Sequence, residues 1–316
     1  MKRKLLLSAA LMMGIGAAQA APPPVSDWAP DESILVAAKA EGPAYWHIKK
    51  GASEIYILGT VGDIPKDLAW SSGYTASVIK GARVVLTPPM ASSGFFSTTW
   101  FLLTHRSLLS MPDGKKLLDT LPPDLKKRFV AVVTDLHGPL DEMADDPPII
   151  AAVKLENGFA TTAKLSGEEP GKTVEKLARQ NHVPVQRIAE YDALGLVKEV
   201  LRLPQEAQQA CLREAVGDVE QRLVHARPVA EAWAVGDVGS IKAHYSPRVF
   251  SECAKATASF NRLYEQAVAD YLKAINDALA TPGKTVLITD IGSLLRGTGV
   301  AEKLHDQGVL VEGAAE

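Results

Sequence analysis

YILGTVGDIP, residues 56–65, decides how this chain reads. Ile55, Tyr56, Ile57 and Leu58 are strand formers. Gly59, Thr60, Val61, Gly62, Asp63, Ile64 and Pro65 then break the run. The stretch is a strand that ends in a Gly-rich turn. Just upstream, AYWHIKK (44–50) and GAS (51–53) complete a β-hairpin with EIYILGT (54–60) around a short Gly/Ser turn. A Gly-rich strand end is a common place to hold chemistry, yet this one carries no His, Cys or Ser nucleophile.

Outward from the hairpin, a helix is expected from about Ser72 to Lys80. A buried strand, RVVLT (83–87), follows and is closed by Pro88 and Pro89. The middle reads as helix. PPDLKKRFVAVVTDL (122–136) and DPPIIAAVKLENGFATTAKL (146–165) both open with Pro in the first turn, where a missing N–H costs nothing. GKTVEKLARQNHV (171–183) with PVQRIA (184–189) forms a helix-to-strand unit. From Asp192 to about Ala280 the pattern is nearly all helical. Its pieces are DALGLVKEVLRL (192–203), PQEAQQACLREAVGDVEQRLVHA (204–226), PVAEAWAVGD (228–237) and a long run from Ser251. KTVLITDIG (284–292) is a second buried strand, SLLRGTGVAEKLHDQG (293–308) one or two helices, and VLVEG (309–313) a last edge strand. Strands gather at both ends and helices between them. The expected fold is α/β: a mixed central sheet of N- and C-terminal strands, with a large central helical block.

The N-terminus carries its own signal. Lys2, Arg3 and Lys4 precede the apolar run LLLSAALMMGIGAA, and AQA ends at Ala20 as a small-x-small cleavage site. The run is short for a membrane span. Residues 1–20 therefore read as a signal peptide, 21–41 as a Pro-rich leader, and 42–316 as a single domain, periplasmic or secreted, with no stable span after cleavage. No Cys follows the apolar run, which argues against a lipoprotein anchor. Cleavage removes three cations, taking the formal charge from −3 to −6. That balance gives no reason to expect nucleic acid or an anionic membrane as partner. Cys211 and Cys253 are the two cysteines. In an oxidising compartment they are expected to pair as a disulfide joining two helices; two unrelated buried thiols are the alternative.

The order of these pieces resembles the TraB/GumN family, which includes the Tiki metalloproteases. The resemblance runs over most of the chain after residue 41. It rests on YWHIKKGASEIYILGTVGDIP, GARVVLT, the 171–212 helix–strand–helix stretch, VAEAWAVGDVGSI, and GKTVLITDIGSLLRGTGVAEKLHDQGVLVE. In that family, two Gly-x-x-His motifs and a Glu at neighbouring strand ends are thought to bind a divalent metal that activates water. The resemblance places the first motif on Gly59, Thr60, Val61 and Gly62, with Gly62 at the His position. Thr87 stands at the Glu position. The second motif falls on Asp290, Ile291, Gly292 and Ser293, with Asp290 for the opening Gly and Ser293 for the His. Hydroxyls are poor replacements for two imidazoles and a carboxylate.

Asp63 and Asp290 flank the two turns. Together they would make a weak Ca²⁺ or Mg²⁺ site or an acid/base pair; the commoner role is to cap a turn and a helix. Glu190, in AEYDAL, either lines the cleft or is a solvated strand end, while Asp192 reads as the cap of the next helix. The seven His form no ligand pair by spacing. Ser293 lacks the Gly-x-Ser-x-Gly elbow, and GTVGDIP lacks the Gly-Lys-Ser/Thr ending of a phosphate loop. Trp233, Gly236 and Asp237 read as a core aromatic followed by a helix stop. The resemblance thus implies an exported pseudoenzyme, not a working enzyme, that binds a peptide, lipid, saccharide or envelope protein and needs no cofactor. Two alternatives stand beside it. One is an active metallohydrolase or metalloprotease with a site rebuilt around Asp63 and Asp290, taking Mn²⁺ or Co²⁺. The other is a structural envelope-assembly factor.

Overall fold

The hairpin is built as its alternation dictates. Strands β2 (Tyr45–Lys50) and β3 (Ser53–Thr60), which follow the short β1 (Ile34–Ala37), pair antiparallel from Tyr45–Leu58 to Lys50–Ser53. Gly51 turns the corner in the left-handed region, at φ 59°. Trp46, Ile48, Ile55 and Ile57 point into the core and are buried. The computed structural model describes residues 34–37, 42–62, 64–92, 94–163, 170–245, 257–295, 299–309 and 311–314. Asp63 and Cys253 lie outside the described residues.

The other strands are β4 (Val84–Thr87), β5 (Met90–Ser92), β6 (Val185–Arg187), β7 (Glu190–Asp192), β8 (Gly283–Asp290) and β9 (Val311–Ala314). The main sheet has the order β1-β9-β2-β3-β8-β4-β6. β8 lies between β3 and β4 and runs parallel to both. Its Val286, Leu287 and Ile288 are buried in succession, as a strand covered on both faces requires. The sheet is mixed, because β2 runs against β3 and β9 while β3, β8, β4 and β6 run parallel.

Three placements differ from the sequence expectation. β9 is interior, between β1 and β2, where an edge strand was expected. β1, from the segment read as leader, covers it in parallel. β6, from the middle of the chain, extends the far edge beyond β4. A separate parallel pair, β5 with β7, sets Met90 opposite Glu190 and Ser92 opposite Asp192.

The helices are α1 (Gly73–Ile79), α2 (Phe95–Thr104), α3 (Leu117–Thr120), α4 (Pro123–Asp135), α5 (Pro148–Thr162), α6 (Pro170–Gln180), α7 (Leu194–Leu201), α8 (Gln205–Ala234), α9 (Val238–His244), α10 (Ala258–Ala280), α11 (Ile291–Leu295) and α12 (Val300–Asp306). Sequence reading divides α8 at Pro228, but the structure keeps one helix of 30 residues. Proline costs one i→i−4 hydrogen bond and a ring clash there. Packing on both sides outweighs that cost. Cys211 belongs to a small cluster with Phe101, Ile149 and Leu201. Leu212, Val216 and Val219 enter the helical core with Phe129 and Phe159. Val229, Ala230 and Trp233 enter the sheet core. α8 is the strut between all three.

Gly59 shows why the strand end cannot carry a side chain. A Cβ there would stand 2.8 Å from Trp46 Cζ3 and 3.1 Å from Ile291 Cγ1. Gly59→Ala is therefore expected to destabilise the protein by about 1–3 kcal/mol through overpacking. Urea unfolding would measure it, and an unchanged midpoint would reject this account of the motif glycine.

Candidate functional site

Because β3, β8 and β4 are parallel neighbours, their carboxyl ends open on the same side of the sheet, the usual ligand side of an open α/β fold. Thr60 lies opposite Asp290, and Leu86 opposite Leu287. Gly62 follows β3 by two residues, Thr87 ends β4, and Ser293 sits in α11 directly after β8. The backbone thus gathers all three positions at one sheet end. Thr87 is buried there, Gly62 exposed and Ser293 half-buried. The Thr87 carbonyl accepts from Ile188 N–H at 3.1 Å, which ties it to the chain just after β6.

Asp290 is the one carboxylate at these strand ends among the described residues, and both of its oxygens are engaged. Oδ1 accepts from the Ser293 N–H at 3.0 Å, which caps the turn into α11. Oδ2 accepts from the Tyr245 hydroxyl at 2.7 Å. Nearby, Thr60 Oγ1 donates to the Thr289 carbonyl at 3.1 Å. Burial drives the Tyr271 phenol well above its ordinary pKa, with its Thr289 hydrogen bond opposing the shift. Among the described residues, the donor set does not suit a catalytic divalent metal. Gly62 has no donor, Thr87 and Ser293 offer hydroxyls, and Asp290 already serves two hydrogen bonds. No group of three His, Cys, Asp or Glu among the described residues is placed to hold a metal ion.

Glu190 stands on β7, in the small sheet, and pairs with Arg187 at 3.4 Å with its side chain mostly in solvent. The cap of α7 is Ala193, one residue later than expected, while Asp192 Oδ1 still accepts from the Leu194 N–H at 2.8 Å. Cys211 is fully buried. Its expected partner Cys253 lies outside the described residues.

The Trp233–Gly236–Asp237 segment does more than stop a helix. Trp233 Nε1–H donates to the Gly59 carbonyl at 2.8 Å, in the core. Trp70 packs edge-on to it at 5.1 Å. Gly236 ends α8 at φ 74°, with the Gly42 carbonyl so close that a Cβ would meet it at 3.0 Å. Asp237 caps α9, accepting from the Ser240 N–H at 2.9 Å and the Ser240 hydroxyl at 2.7 Å.

Sequence spacing missed one pairing. His225 on α8 and His244 on α9 stack at 4.8 Å, with their planes 15° apart. With Val61, Arg222 and Tyr245 they line a small pocket beside the first motif turn. Arg222 is buried among Glu156, Asp218 at 3.0 Å and the Phe159 ring at 4.2 Å. Burial raises the Glu156 pKa, opposed by the Arg222 charge. The recoverable signal was the Gly236 stop with the Asp237 cap, which brings α9 back onto α8.

With this geometry in place, a family model described as TraB/PrgY/gumN family matches residues 44–313. Neither the curated proteins nor the solved structures yield a match to the chain.

Asp290 acts here as a cap and an anchor. Asp290→Ala is expected to lower stability by about 0.5–2 kcal/mol, and Asp290→Asn by clearly less, since Asn also accepts at a helix start. Thermal melts of both variants compare the two. Equal loss in both would mean that the negative charge, not the cap, is what the site requires.

Proposed function

This chain belongs to the TraB/PrgY/gumN family, and from that premise we propose that it is an exported pseudoenzyme. It keeps the family's sheet, has given up the metal site, and uses the surface at the carboxyl ends of β3, β8 and β4 to bind a peptide, a saccharide or an envelope protein. The observation that carries this reading is the convergence of Gly62, Thr87 and Ser293 at one sheet end, with Asp290 committed to the Ser293 N–H and Tyr245. Three positions at the carboxyl ends of neighbouring strands that all lack strong ligands support a site given up as a unit. Export is supported by the basic–apolar–small pattern of residues 1–20. The proposed Cys211–Cys253 disulfide fits an oxidising compartment and would fix the start of α8.

The competing reading is a hydrolase rebuilt around Asp63 and Asp290. The deciding experiment measures metal content of the purified mature protein together with peptide cleavage in added Mn²⁺ or Co²⁺. The expected result is substoichiometric metal and no turnover sensitive to EDTA. Stoichiometric metal, or cleavage abolished by EDTA, would overturn the pseudoenzyme. Thiol titration of the unreduced protein in denaturant is expected to find no free thiol; two would remove the disulfide.

A further inference from the structure

We propose that the face formed by α2 and α7 docks on an anionic lipid bilayer, with Lys198 and Arg202 at the lipid phosphates and Trp100 and Leu103 in the acyl boundary. This face is separate from the strand-end surface and does not depend on what that surface binds.

α2 has the sequence FFSTTWFLLT, ten residues without a charge. Phe101 points inward and is buried, whereas Trp100 is 71% and Leu103 51% exposed. Residues three apart share a helix face, so these two large apolar side chains form one exposed patch. A Trp this exposed is unusual in a chain that buries Trp46 and Trp233 almost completely. Beside the patch is an open cavity of about 590 Å³, lined by Trp100, Phe101, Thr104, His105, Lys198 and Arg202 among others.

Among the described residues, the charged groups that line this cavity are cations. Lys198 Nζ stands 5.6 Å and the Arg202 guanidinium 5.7 Å from the Phe101 ring centre, and neither has a carboxylate partner among the described residues. The acids on and just before α7 are not among the residues that line the cavity, and they bond elsewhere. Glu199 accepts from the Ser259 N–H at 3.0 Å and from the Ser259 hydroxyl at 2.6 Å. Asp192 accepts from the Leu194 N–H. The overall negative charge of the chain hides this local excess of cations.

An uncharged aromatic helix flanked by long cations without carboxylate partners among the described residues is the chemistry of an element that lies in the membrane interface. Trp belongs at the headgroup level because its ring is apolar and its N–H polar. Lys and Arg reach outward to phosphates while their stems cover apolar surface. A soluble acidic peptide would engage the cations but leave Trp100 and Leu103 in water, so the bilayer accounts for more of the surface. No helix among the described residues is long and apolar enough to cross a membrane, so the contact proposed is one of lying on the surface.

Co-sedimentation of the purified protein with vesicles tests this. Binding to phosphatidylcholine vesicles doped with phosphatidylglycerol is expected, weakening as salt is raised, and at least about tenfold weaker on phosphatidylcholine alone. Trp100→Glu, and separately Lys198→Glu with Arg202→Glu, should each lower the partition coefficient by about tenfold or more. Circular dichroism and melting temperature close to those of the parent confirm that these surface variants fold; Trp100→Ala and Arg202→Ala replace any that do not. Equal binding to both vesicles, binding to neither, or retention of full binding by the Trp100 variants would overturn the proposal. Displacement by inorganic phosphate at constant ionic strength would assign the cations to a free anion and overturn it too.

Discussion

The hydrogen bond from Trp233 Nε1 to the Gly59 carbonyl joins the two halves of this protein. At Gly59 the chain is leaving a buried strand for a turn, and its carbonyl must find a donor inside the core. An indole N–H is the donor best suited to that position, since the ring around it is apolar and fills the space. The same ring lies near the end of α8, the helix that runs from the Cys211 cluster through the helical core to the sheet. This bond thus ties the end of α8 to the end of β3. Gly236 and Asp237, next along the chain, then turn α8 into α9 and bring Tyr245 to Asp290.

Much of this architecture was legible because it follows from local rules. The hairpin alternates with period two, and β8 is a short apolar run bounded by turn residues. α4 and α5 open on Pro. What stayed hidden depends on contacts distant in sequence. β9 looks like an edge strand because it is short and follows the last helix; it becomes interior only when Ile34–Ala37 pairs beside it, some 277 positions earlier in the chain. Pro228 looks like a helix end because local chemistry says so, and it is overridden by the cores that α8 enters on both sides.

The candidate site divides in the same way. That Asp290 would cap was legible, since Asp before a helical run is a strong local signal. That its second oxygen would be taken by Tyr245 was not, because nothing in either segment announces the other. The stacking of His225 on His244 has the same character. His spacing along one helix is visible in a sequence; His facing His across two helices needs the turn between them to be placed first.

The requirement for glycine at position 59 follows from these constraints. Gly59 is closed in by Trp46 and Ile291, and its carbonyl receives the Trp233 N–H. Any side chain there would collide with the sheet core, whether or not a metal was ever bound nearby. Gly62 is exposed. Thr87 and Ser293 keep their backbone roles, one accepting from Ile188 and the other donating to Asp290, with any side chain that fits. Gly59 is therefore required by folding, whereas nothing in the packing described requires the particular side chains of Thr87 and Ser293. On the proposed reading, relaxing the second would leave the first untouched, because the packing around Gly59 does not depend on what the neighbouring positions bind.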